Sequence, residues 1–469
     1  MAEFWQGAIK EVMCTEESFL PSSGNEPEPT LFAMEPCERE QGPPPGRPRL
    51  RRAERHQVVM QVASLDSLLP EDHAARVVWE YVEGLDLSRL YESIQSVEGG
   101  PGRDAIDPRI LMALWLYATL DGVGSARQLA RLCGDHVAYR WICGGVSVNY
   151  HTLSDFRTAH PALLDDLLTR SVATLMHEDL VTLHRVAQDG MRVRADAGAA
   201  SFRRRASLEA CRQQAQEQVE SLRQELETDP ATSTRRRQGA RERAARERSE
   251  RVDQALEALS EIEKKRPGQE KKKKARASTT DPEARVMKMA DGGFRPAHNV
   301  ELATDTASQV ITGVDVVNAG SDTGQMPPMV QQHQDRYGRT PKEFLVDGGF
   351  AQLDAIEQVS GAAVGTTVYA PLQKARKEGR DPYQSLPGDS EAIAAWRRRM
   401  GTAEAKEIYK QRAATAECVN AISRNRGLRQ FLVRGLQKVR TVVLWFALAH
   451  NLMRAVALRA QAALVPVGG

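Results

Sequence analysis

Residues Glu343–Ile356 read "EFLVDGGFAQLDAI". A short apolar run is followed by Asp347, two glycines and a stretch with helical spacing. The pattern predicts a strand, a tight turn and a helix. A carboxylate at the end of an apolar strand is costly to hold unless something nearby uses its charge. Asp347 is therefore the first candidate functional residue.

The flanking sequence extends the pattern. "TTVYAP" (366–371) reads as a further strand, and "DTGQMPPMVQQHQDRYG" (322–338) as a helix. "AHNVELATDTASQVITGVDVVN" (297–318) reads as two strands about a turn at "DTAS". Upstream, Val181, Leu183, Val186, Met191 and Val193 alternate in "VTLHRVAQDGMRVRADAG", which predicts a strand ending near Asp189. Strands alternating with helices define a mixed α/β core. That core is split by residues 201–280. There, Leu208, Ala215, Val219, Leu222 and Leu226, then Val252, Leu256, Leu259 and Ile262, predict a helical hairpin with a narrow apolar seam. "KKRPGQEKKKKARAS" reads as a basic, mobile exit from it. From about Glu391 the sequence is helical to the end.

Residues 57–180 read as all-helical. A helix opens at Asp72, and Asp107 and Ser125 are placed as N-caps, with Pro108 in the first helical position. "VSVNYHT" (146–152) reads as a linker. Residues 1–56, with "SSGNEPEP" and "GPPPGRPRLRR", have the composition of a disordered leader. The resulting division is 1–56, 57–180, 181–200, 201–280 and 281–460. The first and second parts of the core are 181–200 and 281–460, the latter with the C-terminal helices.

The chain has 469 residues and a net charge of +2, but residues 201–280 hold 21 Lys/Arg against 14 Asp/Glu. A positive arm on a faintly acidic body suggests an anionic partner, or else a solvated helical face. Six cysteines form no CxxC pair, which fits a reducing, cytoplasmic location. The N-terminus carries acidic residues where a signal peptide has positive charge. "TVVLWFALA" (441–449) is too short an apolar run to span a bilayer and reads as a core helix, so no membrane partner is expected.

Two further carboxylates join Asp347. Asp189 precedes Gly190, and Glu417 lies on a helix in "YKQRAATAECVNAISRNRGLRQ". If Asp189 and Asp347 end adjacent strands, their side chains converge, and Glu417 can complete the group. Three uncompensated carboxylates raise one another's pKa values. Paired Mg²⁺ ions, hard cations that take oxygen ligands, remove that problem. Two such ions roughly 3.5–4 Å apart serve phosphodiester displacement. Taken singly, each acid has a plainer reading: a turn former for the aspartates, a surface helix residue for Glu417. Asp196, Asp305, Asp315 and Asp322 are equal candidates on composition.

"DGMRVRADAG", "DPEARVM…HNVELATD", "FLVDGGF" and "YKQRAATAE…RGLRQFLVRGLQKV…ALAHNLMR" together resemble the DDE transposases of bacterial insertion sequences. The helical stretch from "DHAARVVWEYVEGL" to "NYHTLSDFR" resembles their N-terminal domain, so the likeness covers about residues 57–456. The resemblance implies an RNase H-like fold interrupted by a helical insertion. It makes Asp189, Asp347 and Glu417 the catalytic metal ligands, for two Mg²⁺ ions or Mn²⁺. It also implies metal-dependent cleavage and strand transfer at the ends of a mobile element. Tyr409, Arg412 and Glu417 match the family's last motif with a looser spacing, and Arg424 stands where the family has Lys. Cys418 and Asn420–Ala421 replace a Pro-Phe-Gly-like segment.

The basic residues gain a use under this reading. Arg424, Arg426, Arg429, Arg434, Lys438 and Arg440 lie in a stretch without Asp or Glu, and Lys374, Arg376, Lys377 and Arg380 form a second cluster. Both can hold DNA backbone phosphates, as can Tyr409 and Arg412; a solvated charged face is the plainer alternative. The expected partners are double-stranded DNA, as terminal inverted repeats and target, and a second subunit in a homodimeric DNA complex. The helical N-terminal domain is the candidate end binder. The rival readings are an RNase H-like nuclease that cuts without joining and a catalytically silent DNA-binding protein.

Overall fold

Asp107 and Pro108 set the start of the most buried helix in the N-terminal part. The Asp107 carboxylate accepts a hydrogen bond from the Arg109 amide at 2.8 Å, and Pro108 occupies the first turn. The computed structural model describes residues 62–97, 99, 103–228, 235–362, 364–372 and 381–464. The leader read from residues 1–56 lies outside them. Helix Pro108–Leu120 is buried on almost every side, as its unbroken apolar sequence requires. Helices Ala74–Glu83, Val137–Cys143 and Tyr150–Ala159 pack on it, Ala126–Asp135 packs on the last two of these, and Pro161–His177 packs on the C-terminal helix Leu436–Leu464. Ser125 caps as expected, through a hydrogen bond from the Gln128 amide. Two boundaries differ from the sequence reading. His73, not Asp72, caps the first long helix by accepting from the Ala75 amide, and the linker ends at Asn149, which caps Tyr150–Ala159.

The strands are β1 (Arg185–Arg194), β2 (Phe202–Arg203), β3 (Ala277–Ser278), β4 (Arg285–Lys288), β5 (Phe294–Asp305), β6 (Ile311–Val317), β7 (Glu343–Leu345) and β8 (Thr367–Tyr369). In the main sheet β1 is central. It pairs antiparallel with β5 and parallel with β7, which pairs parallel with β8. The far edge of β5 is shared by β4 and β6, both antiparallel to it. The expected helices are Met326–Tyr337 and Leu353–Ser360.

β1 does not stop at Asp189. It runs on to Arg194 because β5 pairs with it along that whole length, from Val186↔Asp305 to Arg194↔Ala297. Asp189–Gly190 is therefore strand, not turn. The ladder supplies partners for backbone groups that a turn would leave to water.

Helix Leu436–Leu464 joins the two parts. It packs on helices Pro161–His177 and Pro108–Leu120 and on β6. The Trp445 indole donates to the Arg157 carbonyl at 3.0 Å. Asn451 donates to the Ile311 carbonyl and accepts from the Ile311 amide, both at 2.8 Å, and so continues the β6 ladder with a side chain. Whole, this helix is long and apolar enough to cross a membrane, but most of its apolar window is buried inside the protein. The core-helix reading of residues 441–449 agrees with that burial.

The insertion is a hairpin of helices Arg205–Thr228 and Arg235–Lys265. Leu208, Ala215, Leu222, Val252, Leu256 and Leu259 are buried along its seam. Its exit is not a loose tether. Ala275 and Ala277 pack against Leu208, Ala255, Leu256 and Leu259. β3 then pairs with β2, and the Ser201 and Ser278 hydroxyls meet at 2.7 Å. The alanines in "KKARAS" supply the contacts that the lysines around them do not.

Candidate active site

The register of the parallel pair places the two aspartates. Ala187 lies opposite Leu345, so two residues further on Asp189 and Asp347 emerge side by side from neighbouring strands. The Asp347 carboxylate accepts from the Gly349 amide at 2.8 Å, which fixes it in a turn at the strand end. Glu417 reaches the same place from the last helical layer. Helix Ala403–Arg412 passes through a π-helical turn, Ala413–Glu417, into helix Cys418–Asn425.

Arg412 stands among the three acids. Its guanidinium lies 3.4 Å from Asp189 and 3.0 Å from Glu417, with little exposure of its own side chain. Tyr409 is half-buried; burial pushes its phenol upward and the Arg412 charge opposes that shift. Burial pushes the Asp189 carboxyl upward; Arg412 opposes that shift and Asp347 adds to it. Burial also works against the charge of Arg412, but Asp189, Tyr409 and Asp347 outweigh it and raise its pKa. Asn420, buried behind the site, donates to Asp189 at 2.8 Å while its own carbonyl oxygen has no partner.

The structure thus brings Asp189, Asp347, Glu417, Tyr409 and Arg412 together. Among the described residues no three His, Cys, Asp or Glu side chains group closely enough to hold a metal ion as they stand. Here it is Arg412 that lies between the acids. The donor set nevertheless suits a hard divalent cation: carboxylate oxygens, and no thiol or imidazole within the group.

The glycines after Asp189 and Asp347 have a structural cause. A Cβ built on Gly190 would lie 2.5 Å from an Asp322 carboxylate oxygen and 2.9 Å from one of Glu301. A Cβ on Gly349 would lie 3.0 Å from Asp347 and 3.5 Å from Asp322. Asp322 is therefore seated over both Gly190 in β1 and the turn that follows β7. Asn299 donates to it at 2.8 Å, and Arg192 pairs with it at 3.3 Å. Glu301, fully buried, accepts from Gln188 and Asn299, and burial beside Asp322 pushes its pKa up to about 8. The sequence reading gave no role to Asn299, Glu301 or Asn420, the last noted only as a departure from the family's pattern. Asp322 was visible only as one acid among several of equal standing.

The basic residues divide. Arg424 and Arg429 are exposed, with the Arg429 guanidinium donating to the Arg424 carbonyl at 3.0 Å. Arg426 is half-buried against the turn at Gly122. Arg434 pairs with Asp196 at 2.8 Å. Lys438 lines a groove of about 360 Å³ with Glu247, Glu250 and Arg251 of the insertion. Arg440 is drawn away to Asp165 at 2.7 Å. The segment docks on the end of β1: the Arg194 amide donates to the Arg429 carbonyl and the Phe431 amide to the Arg194 carbonyl. Lys374, Arg376, Lys377 and Arg380 lie outside the described residues.

Two protein-family models match the chain. "Transposase domain (DUF772)" matches residues 63–159, the N-terminal helices, and "Transposase DDE domain" matches residues 377–456. The second match contains Tyr409, Arg412, Glu417 and Arg424, and leaves Asp189 and Asp347 outside it. No curated protein and no solved structure gives a significant match. A transposase domain match ahead of a DDE domain match in one chain supports a DDE transposase of the insertion-sequence type.

Proposed function

We propose that this transposase cuts DNA at the ends of its element and joins the freed ends to a target, using Asp189, Asp347 and Glu417 as one site. The observation that carries the reading is that Asp189 and Glu417 both pair with Arg412, while the β1–β7 register brings Asp347 out beside Asp189. The strand order supports an RNase H-like core: an antiparallel set, β6–β5–β1, extended by the parallel strands β7 and β8.

Asp189, Asp347 and Glu417 would hold Mg²⁺ or Mn²⁺. A bound pair of such ions supplies charge stabilisation for both the attacking and the leaving oxygen of an in-line displacement. The chain supplies the rest. Asn420 orients the Asp189 carboxylate, and the Asp347 turn fixes the second ligand. Arg424 and Arg429 offer exposed charges for backbone phosphates. The helices between residues 57 and 180 would bind the terminal inverted repeats. Two element ends must meet, so a homodimer would form on DNA, and the hairpin arm of residues 201–280 would pair subunits or touch DNA. Work on intracellular DNA places the protein in the cytoplasm.

The test is a product assay with labelled element ends and a supercoiled target plasmid in Mg²⁺. Nicked ends together with joined product are expected. Cleavage without joined product would favour a nuclease, and neither product would favour a silent DNA-binding protein.

A further inference from the structure

Arg412 occupies the space that a cation for Asp189, Asp347 and Glu417 would need. Its side chain is only 13% exposed, whereas that of Glu417 is 54% exposed. The site is thus closed at the base and open at the mouth. Towards Glu417 the guanidinium makes a hydrogen bond, at 3.0 Å. Towards Asp189 it makes only an ion pair at 3.4 Å, and that nitrogen is buried without a hydrogen-bond partner. A buried donor without a partner is costly to keep. One positive charge also falls short of three carboxylates.

We propose that Arg412 is a built-in counter-cation. It holds the three acids together before loading, gives up the site when divalent ions enter, and turns through the open mouth to grip a DNA phosphate. This rests on the metal-site reading above. Guanidinium and metal ion compete for the same oxygens, so each weakens the binding of the other. A DNA phosphate near the mouth offers the guanidinium a bidentate partner and releases the carboxylates. Metal and DNA then load cooperatively, and free protein is kept from cutting DNA at random.

The experiment is a Mn²⁺ titration of the full chain without DNA, followed by the loss of the free-ion electron paramagnetic resonance signal. Arg412→Gln should bind Mn²⁺ on the order of tenfold more tightly than the wild type. Arg412→Lys, which keeps the charge, should stay close to the wild type, and Asp189→Asn should lose the binding. Repeating the wild-type titration with a short DNA duplex should tighten Mn²⁺ binding, a readout that needs no variant. Equal or weaker binding in Arg412→Gln, with binding still lost in Asp189→Asn, overturns the counter-cation role and leaves the metal site standing. Absence of any Mn²⁺ binding that depends on Asp189 overturns the metal site itself.

Discussion

Glu301 lies directly across from Gly190, one residue past Asp189, and has no exposure to water. Its carboxyl is pushed from an ordinary 4.5 up to about 8. Between those values the folded chain keeps a proton that the unfolded chain has lost. Stability therefore falls as pH rises through that window, by about 1.4 kcal/mol for each unit crossed at most, and no further above it. Glu301→Gln removes the titration while keeping an amide among Gln188, Asn299 and Asp322. Its melting temperature should decline less than that of the wild type between about pH 5 and about pH 9. Parallel declines, followed by circular dichroism, would remove Glu301 as the cause. At this scale the sequence was partly legible. Asp347 was visible because a charge ended an apolar run. Glu301 was not, and Asp322 was only one acid among several, because their effect depends on lying over Gly190 and Gly349, contacts that only the folded chain creates.

The helical segment that carries Glu417 explains its loose motif spacing. Arg412 and Glu417 are five residues apart, and in an α-helix such residues point roughly 140° away from each other. The π-helical turn Ala413–Glu417 absorbs the extra residue and lets the two side chains pair. An asymmetry follows. Deleting Ala414 gives a regular α-helix with a spacing of four, which still aligns the pair. Adding an alanine there rotates Glu417 by about a further 100°. The deletion variant should keep more end cleavage than the insertion variant; equal loss in both would show that the turn has no such role. The β1 prediction failed for a related reason. "DG" signals a turn by local preference, but pairing with β5 overrode it. The foot of the insertion was hidden likewise, since four lysines masked the alanines that pack.

At the scale of the whole molecule, the chain from Ala63 onward folds as one compact unit, with helix Leu436–Leu464 running through it. The alternation of strands and helices was enough to expect the mixed core. The shared packing of that core with the N-terminal helices was not legible, because nothing in "TVVLWFALA" says which faces will cover it. The basic segment Arg424–Lys438 is fastened to the end of β1, so its charges sit at a fixed place relative to Asp189. Arg429→Ala should weaken binding to all DNA sequences alike and reduce the logarithmic salt slope by about 1. A fluorescence anisotropy series over salt measures this. A loss confined to one sequence would make Arg429 a base reader.

The central claim is that the Asp347 carboxylate is a metal ligand. The most direct measurement is end cleavage by Asp347→Cys in Mg²⁺ and then in the more thiophilic Mn²⁺ or Cd²⁺. The variant should be inactive in Mg²⁺ and regain cleavage with the softer ions, while Asp347→Asn stays inactive in all three. Wild-type cleavage by Asp347→Cys in Mg²⁺ alone would contradict the account.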